Sequence, residues 1–498
     1  MKTAINDIIG RRAEKNELEE AYASNEAEFV VVYGRRRVGK TYLIKSFFQE
    51  KRCIFFQNVG IYNGSIKEQL TRFSKEIGNT FYQGAAIKVP LNWMEALEAL
   101  SYAISQIPKN KKVVLFFDEL PWMSTHRSGI LRALEYFWNR HWINDKRLKL
   151  IVCGSSASWM IQKIIKSRGG FHNRLTRKLN LLPFNLNETS SYLKYIGYPC
   201  QHKQVLYAYM VTGGVPFYLK HFKKNLSIDQ NVNKLFFSTT SLFFDEFDDI
   251  FSSLFDDSDQ YKELINLIAH HQYGISRTII NQKNKLTGKG GRLTKRLEDL
   301  EHAGFISSFI SYGHKKRGTF YRINDEYCYF YLKWVDPIKN HLKQDRATNY
   351  WQKLVNTPEY FGWLGYAFEN ICYKHLPQIK NALGIEYYSV ASPWRYAPGK
   401  KSSEQGGVQI DLLLDRDDNA MTLCEIKYTN EPFLIDKSYA NQLKQKIEIF
   451  QKVTQTKKQI FLAMICASGL KKNLYSEEMV HNALTLEALF KEGKERST

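Results

Sequence analysis

Phe29–Phe48 reads FVVVYGRRRVGKTYLIKSFF. Five residues of apolar and β-branched character, Phe29 to Tyr33, predict a short buried strand. A glycine-bounded loop follows, and Lys40 onward has the apolar spacing of an amphipathic helix. The loop is G-x-x-x-x-G-K-T, Gly34 to Thr41. Glycines at those positions let backbone N–H groups close on a nucleotide phosphate. The lysine then reaches the β/γ oxygens, and the threonine hydroxyl ligates Mg²⁺. The helix N-terminus adds partial positive charge. Strand, loop and helix are in the order that this phosphate-binding loop requires. Arg35, Arg36 and Arg37 sit where the loop turns over the nucleotide; phosphate contact and simple solvent exposure are both open for them.

A second segment supports the same chemistry. VVLFFDEL (113–120) is an apolar strand ending in Asp118–Glu119. Asp118 is expected to hold Mg²⁺ through water, and Glu119 to polarise the attacking water. LIVCGSS (150–156) is a third buried strand, ending in Ser155 and Ser156, placed to sense the γ-phosphate. Arg174, in FHNRLTRKL, is a candidate charge-stabilising arginine, with a surface arginine as the alternative.

The chain has 498 residues, room for about three domains at roughly 100–200 residues each. Hydrophobic residues make up 44% and charged residues 24%, the balance of a globular protein with a sizeable core. The net charge of +21 favours polyanion partners such as nucleic acid, and DNA is the expected one. The seven cysteines are scattered without a CxxC, which predicts reduced thiols and no zinc site. MKTAINDIIG lacks a secretory h-region, and runs such as FLAMICA are far below the ~20 residues that span a bilayer. A cytoplasmic protein without membrane partners is expected.

Strand-like runs alternate with helical ones through residue 185, predicting a parallel sheet with crossover helices. Residues 186–258 read as a helical lid, interrupted by TGGVPFYL (212–219). Asp245, Glu246, Asp248, Asp249, Asp256, Asp257 and Asp259 form an acidic patch, either a solvated face or a contact with a basic surface of the same chain. Residues 259–336 read as three helices and a hairpin, a winged helix-turn-helix. Arg292, Lys295 and Arg296 are expected on one face of its third helix, with Leu293, Leu297 and Leu300 packing inward. The wing carries Lys315, Lys316 and Arg317. DNA docking and internal packing are both open for this module. Residues 337–360 read as a linker, and 361–498 as a separate α/β domain.

The ordered segments IIGRRAEKNELEEAY, FFDELPWM, LIVCGSSASWM, RLTRKLNLLPFN and TGGVPFYL resemble the archaeal-type ATPase family, a branch of the AAA+/STAND P-loop NTPases. LFFDEFDDIF, YKELINLIAHH and YRINDEYCYFYLKWVDP resemble the winged-helix region that follows the ATPase core there. The resemblance implies an ATP-binding switch or motor domain, a lid, a winged helix and a C-terminal nuclease-like domain. It also places Gly10 and Arg11 near the adenine. The nucleotide-contacting set is therefore Gly10, Arg11, Gly34, Arg35, Arg36, Arg37, Val38, Gly39, Lys40, Thr41, Tyr42 and Ser155.

VQIDLLLDR and TLCEIKYT place Asp411 on one strand and Glu425-x-Lys427 on the next, with Glu369 on the preceding helix in GYAFENICY. This resembles the PD-(D/E)XK nuclease core, so the domain is expected to be restriction-endonuclease-like. Glu425 and Lys427, two apart on a strand, share a face. Asp411, Glu425 and Glu369 are the expected Mg²⁺ ligands, and Lys427 serves the attacking water. Gln442 and Lys446 on the next helix complete the set. Ile410 stands where the pattern has proline. The expected activity is an ATPase coupled to Mg²⁺-dependent cleavage of DNA. The alternative is an ATP-gated STAND-type switch whose last domain does not cut. A homo-oligomer is left open.

Overall fold

The computed structural model describes residues 8–125, 127–167, 169–283, 290–313, 318–344, 349–397 and 407–492. The chain divides into two compact units, one holding residues up to Pro183 with Glu298–Gly304, the other Phe184–Leu297 with residues from Phe305 onward. The wing residues Lys315, Lys316 and Arg317 lie outside the described residues.

The first unit is built on five parallel strands: β1 (Glu28–Tyr33), β2 (Cys53–Val59), β3 (Lys112–Asp118), β4 (Leu148–Gly154) and β5 (Arg177–Asn180). Their order is β2-β3-β4-β1-β5. Side chains alternate between two cores, which explains the continuous apolar runs of the sequence. Phe29, Val31, Leu115, Phe117, Leu150 and Val152 enter one core, whereas Val30, Val32, Val114, Phe116, Ile151 and Cys153 enter the other. Because all strands are parallel, their C-terminal ends share one sheet edge. Register aligns Tyr33 with Gly154 and Phe117 with Val152. The loop after β1, the acidic pair ending β3 and the serines after β4 therefore meet without any of them being adjacent in sequence.

In the second unit, helices Leu186–Tyr195, His202–Thr212, Ile228–Phe236 and Glu246–Leu254 form the segment read as a lid. The first and third open with capping boxes, Asn185 with Glu188 and Ser227 with Gln230. Helices Ser258–Ala269 and Arg277–Lys283 follow, then the helix Gly291–His302, of which the part up to Leu297 belongs to this unit, with a three-stranded antiparallel sheet of β6 (Ile275–Ser276), β7 (Ile306–Ile310) and β8 (Thr319–Ile323), β8 in the middle. A helix Pro358–Lys374, capped by Thr357, then leads to a mixed sheet. Its strands are β9 (Ser389–Tyr396), β10 (Val408–Arg416), β11 (Ala420–Lys427), β12 (Gln459–Cys466) and β13 (Asn482–Thr485), in the order β13-β12-β11-β10-β9. The helix Lys437–Thr454 makes the crossover between the parallel strands β11 and β12.

The stretch read as a linker is not loose chain. Trp351 is fully buried and donates its indole N–H to Tyr207 Oη (3.0 Å) and Asp229 Oδ1 (3.1 Å). Its ring meets Phe237, Phe330, Trp334 and Trp363 at centroid distances of 5.3–6.2 Å. Aromatic pairs at such distances pack Phe237, Phe330, Trp334 and the helix Pro358–Lys374 into one core around Trp351. The acidic patch stays largely exposed but is ion-paired with cations of the same chain. Lys339 bridges Asp245 and Asp248, and Lys262 bridges Asp248 and Asp259. Arg296 is buried and pairs with Asp257 at 3.4 Å. This corrects its expected place beside the exposed Arg292 and Lys295: the i, i+3, i+4 geometry put it near the seam, and an acidic partner pulled it in. Among the described residues no helix is long and apolar enough to cross a membrane.

Candidate functional sites

The phosphate loop owes its course to two glycines. Gly34 has φ +141°, and a Cβ there would lie 2.2 Å from the Leu181 carbonyl oxygen. Gly39 has φ +94° and caps the helix Lys40–Gln49. Arg37 also sits at positive φ, 74°, which a non-glycine residue adopts at some cost. The Lys40 ammonium donates to the carbonyls of Gly34 and Arg35, 2.9 Å each, and so holds the loop closed on itself. Arg11, at φ 55° beside Gly10 (φ 66°), donates from Nη2 to the Val38 carbonyl at 3.1 Å. The N-terminal box thus braces the loop from outside. Arg35 is buried, Arg36 and Arg37 are half-buried, and Tyr42 is exposed.

The Thr41 hydroxyl donates to Asp118 Oδ2 at 2.8 Å. Burial raises the Asp118 pKa, and the hydrogen bond from Thr41 opposes that rise. A hydroxyl and a buried carboxylate side by side are oxygen donors of the kind Mg²⁺ takes. Glu119 occupies the left-handed region (φ 50°, ψ 50°), which turns its side chain back toward β4. Its Oε2 accepts the Ser155 N–H (2.9 Å) and the Ser155 hydroxyl (2.8 Å). Lys40, Thr41, Asp118, Glu119, Ser155 and Arg11 are thus brought to one edge. Arg174 is not joined to them: it is exposed in the turn before β5, with no side-chain hydrogen bond to the loop among the described residues.

A second polar cluster lies in the C-terminal sheet. Strand β10 carries a register shift against β9 between Ile410 and Leu413, so that Asp411 and Leu412 face the single residue Pro393. This is a β-bulge, a device that re-aims a side chain. Asp411 turns across to β11, where its Oδ2 accepts the Ile426 N–H at 3.0 Å. On β11, Glu425 is 2% exposed, and both its oxygens accept from the Lys446 ammonium, at 2.7 and 2.8 Å. Tyr439 donates its hydroxyl to the same carboxylate (3.1 Å), and Lys427 stands 3.5 Å away. Burial disfavours charge on Lys427, but Glu425 and Tyr439 outweigh it and raise its pKa.

Glu369 comes from the helix Pro358–Lys374. Burial, with Asp411 next, pushes its carboxyl up to about 8, while Arg322 and Lys427 oppose the rise. The Asp411 pKa is raised by burial first and by Glu425 second. Among the described residues no group of three or more His, Cys, Asp or Glu side chains is arranged to hold a metal ion. Three residues of this cluster were not singled out in the sequence: Tyr373, whose hydroxyl donates to the Asp411 carbonyl at 2.5 Å, Tyr439 and Arg322. Tyr373 lies one helical turn from Glu369, the one signal that could have found it.

Residues 9–222 match the family described as an ATPase domain predominantly from Archaea. Residues 331–446 match a family described as archaeal and bacterial proteins of unknown function. An uncharacterized protein of Methanocaldococcus jannaschii is 24% identical over 427 residues, covering 84% of this chain and 87% of its own. An uncharacterized ATP-binding protein of the same organism is 46% identical over 45 residues, 9% of this chain and 76% of the relative. Among solved structures, a Walker-type ATPase of Pyrococcus abyssi aligns with TM-score 0.47 and 17% identity over 66% of this chain and 96% of that one. The Aeropyrum pernix ORC2 protein, in ADPNP–ADP complexes, aligns with TM-score 0.44 and 15% identity over 69% and 97%.

Proposed function

We propose that this chain, whose residues 9–222 match the ATPase domain predominantly from Archaea, is a P-loop ATPase that couples ATP turnover to a Mg²⁺-dependent, nuclease-like site acting on DNA. The proposed division is an ATPase domain over 1–185, a lid over 186–258, a winged helix over 259–336, a connecting stretch over 337–360 and the nuclease-like domain over 361–498.

At the ATP site, Lys40 would leave the carbonyls of Gly34 and Arg35 for the β/γ-phosphates. Thr41 and Asp118 are the residues that would hold Mg²⁺, which supplies neutralising charge at the phosphates. Glu119 would orient the attacking water and take up its proton, its carboxylate aimed by the N–H and hydroxyl of Ser155. Gly10 and Arg11 would face the base, and Tyr42 would flank it.

The observation that carries the nuclease reading is the convergence of Asp411, Glu425, Lys427 and Glu369 from two adjacent strands and one helix. Burial and a neighbouring carboxylate raise the pKa of both Glu369 and Asp411, and such crowded buried carboxyls form a site to which a divalent cation is attracted. Asp411 and Glu425 would be the principal ligands, with Glu369 completing the set and Lys427 holding the attacking water. Lys446 would have to release Glu425. The test is plasmid DNA incubated with Mg²⁺ or Mn²⁺, with and without ATP, for wild type, Asp411→Asn and Lys40→Ala. Metal-dependent cleavage that Asp411→Asn abolishes is expected. No cleavage by wild type, or equal cleavage by Asp411→Asn, overturns the reading.

One observation favours the second reading, an ATP-gated switch with a non-cleaving last domain. The Glu425 carboxylate is already satisfied by Lys446 and Tyr439, an arrangement that is complete without metal.

A further inference from the structure

Arg322 belongs to the middle strand of the winged-helix sheet, yet it stands beside the C-terminal cluster. Its guanidinium carbon lies 3.7 Å from the centroid of the Tyr373 ring and 5.2 Å from that of Phe309. Phe309 and Arg322 are diagonal neighbours on β7 and β8, since Ser307 is the direct partner of Arg322. Tyr373 in turn donates its hydroxyl to the carbonyl of Asp411. A second link fixes the same juxtaposition. Just past β7, the Ser311 hydroxyl (3.1 Å) and the Tyr312 N–H (3.2 Å) both donate to the carbonyl of Pro393. Pro393 is the residue opposite the bulge that aims Asp411. The winged-helix sheet and the nuclease-like sheet are therefore joined at the one place where Asp411 leaves its strand.

The plain alternative is that Arg322 is a staple, holding the wing sheet to the helix Pro358–Lys374 by stacking. Arg147 of the same chain is pinned by a carboxylate: it pairs with Asp145 at 2.7 Å and donates to the carbonyls of Ile107 and Pro108. Arg322 is half-buried and makes no ion pair with a carboxylate among the described residues. Its charge is nevertheless felt at Glu369 and Tyr366. A planar cation stacked on an aromatic face, with a fork of donors not committed to a carboxylate, is pre-organised to take a phosphate bidentately.

We propose that Arg322 binds a backbone phosphate of the DNA held at the Asp411–Glu425 site, so that the winged helix and the C-terminal domain grip one and the same duplex. This rests on the proposal that the C-terminal site receives DNA, but not on its cutting the strand. Asp411 and Arg322 then lie on the two sides of one phosphodiester path, one offering charge for a metal and the other charge for the substrate.

The test is binding of a short fluorescent duplex to the full chain in EDTA and in Ca²⁺, over a series of salt concentrations. Wild type, Arg322→Gln, Arg322→Lys and Asp411→Asn are compared, with thermal melting run on each. Arg322→Gln should weaken binding and lower the slope of log K against log salt by about one. Arg322→Lys keeps the charge and loses the fork, so it should weaken binding with the slope retained. If Arg322→Gln melts lower but binds with wild-type affinity and slope, the arginine is a staple and the proposal falls. It also falls if wild type does not bind the duplex. Should Arg322→Gln not fold, unchanged affinity in a natively melting Arg322→Lys overturns the proposal. If wild type binds through Arg322 as expected but never cuts plasmid, the cleavage reading fails while this one stands.

Discussion

Acidification should loosen the second unit through His375. The imidazole is 1% exposed. Its Nε2 accepts the Leu186 N–H at 3.2 Å, so the ring proton sits on Nδ1 and is donated to the Ile371 carbonyl at 2.8 Å. Leu186 is the first residue of the helix Leu186–Tyr195, whose opening N–H groups lack intrahelical partners. The neutral ring therefore joins that helix to the end of the helix Pro358–Lys374. Burial first, and the Lys374 charge after it, lower the His375 pKa from 6.5 to about 4. The drop of about 2.5 pH units is worth about 3 kcal/mol, at about 1.4 kcal/mol per unit. The sign follows from linkage: between those two values the unfolded chain binds the proton and the folded one does not. The stabilisation is therefore complete above pH 6.5 and lost as pH falls toward 4. About 2 kcal/mol of it should be gone at pH 5. Urea unfolding at pH 7 and pH 5, for wild type and His375→Gln, measures this. Other groups titrate in both proteins, so the readout is the difference between the two profiles. Wild type should lose about 2 kcal/mol more than the variant. Parallel profiles would refute the buried, neutral imidazole as the cause.

Gly34→Ala should destabilise the first unit by at least about 1–3 kcal/mol and abolish ATP binding, because φ +141° and a contact of 2.2 Å with the Leu181 carbonyl both oppose a Cβ. Calorimetric ATP titration and thermal melting check it. Glu119→Gln should keep ATP affinity and lose about 10²–10⁴-fold in turnover, since the amide keeps the shape that Ser155 holds but takes up no proton. Lys446→Ala strips Glu425 of its two-oxygen partner and should cost about 2 kcal/mol without divalent ions. If Asp411 and Glu425 bind metal, added Mn²⁺ should recover part of that loss; a loss that Mn²⁺ leaves unchanged favours the non-cleaving reading. Charge reversal confined to the exposed Arg292 and Lys295 should weaken duplex binding without lowering the melting temperature, whereas Arg296→Glu should lower it by breaking the pair with Asp257.

The sequence by itself determined what is local. The spacing G-x-x-x-x-G-K-T fixed a loop between strand and helix, because only glycine accepts the backbone that closes it. Continuous apolar runs ending in Asp118–Glu119 and in Ser155 fixed parallel strands whose polar ends share an edge. The interval between Glu425 and Lys427 put them on one face by the two-residue period of a strand. Tertiary structure decided what depends on partners distant along the chain. Lys446 takes Glu425 only because the crossover helix lies over β11. Arg296 leaves the exposed face only because Asp257 meets it, and Trp351 turns an expected linker into core because Tyr207 and Asp229 await its indole N–H. Arg322 looks like any wing cation until the bulge at Asp411 and the Pro393 carbonyl bring two sheets together. Backbone geometry and periodicity are written in neighbouring residues. The partner that neutralises a buried charge, or receives a stacked one, is chosen by packing, and packing has no short-range signature.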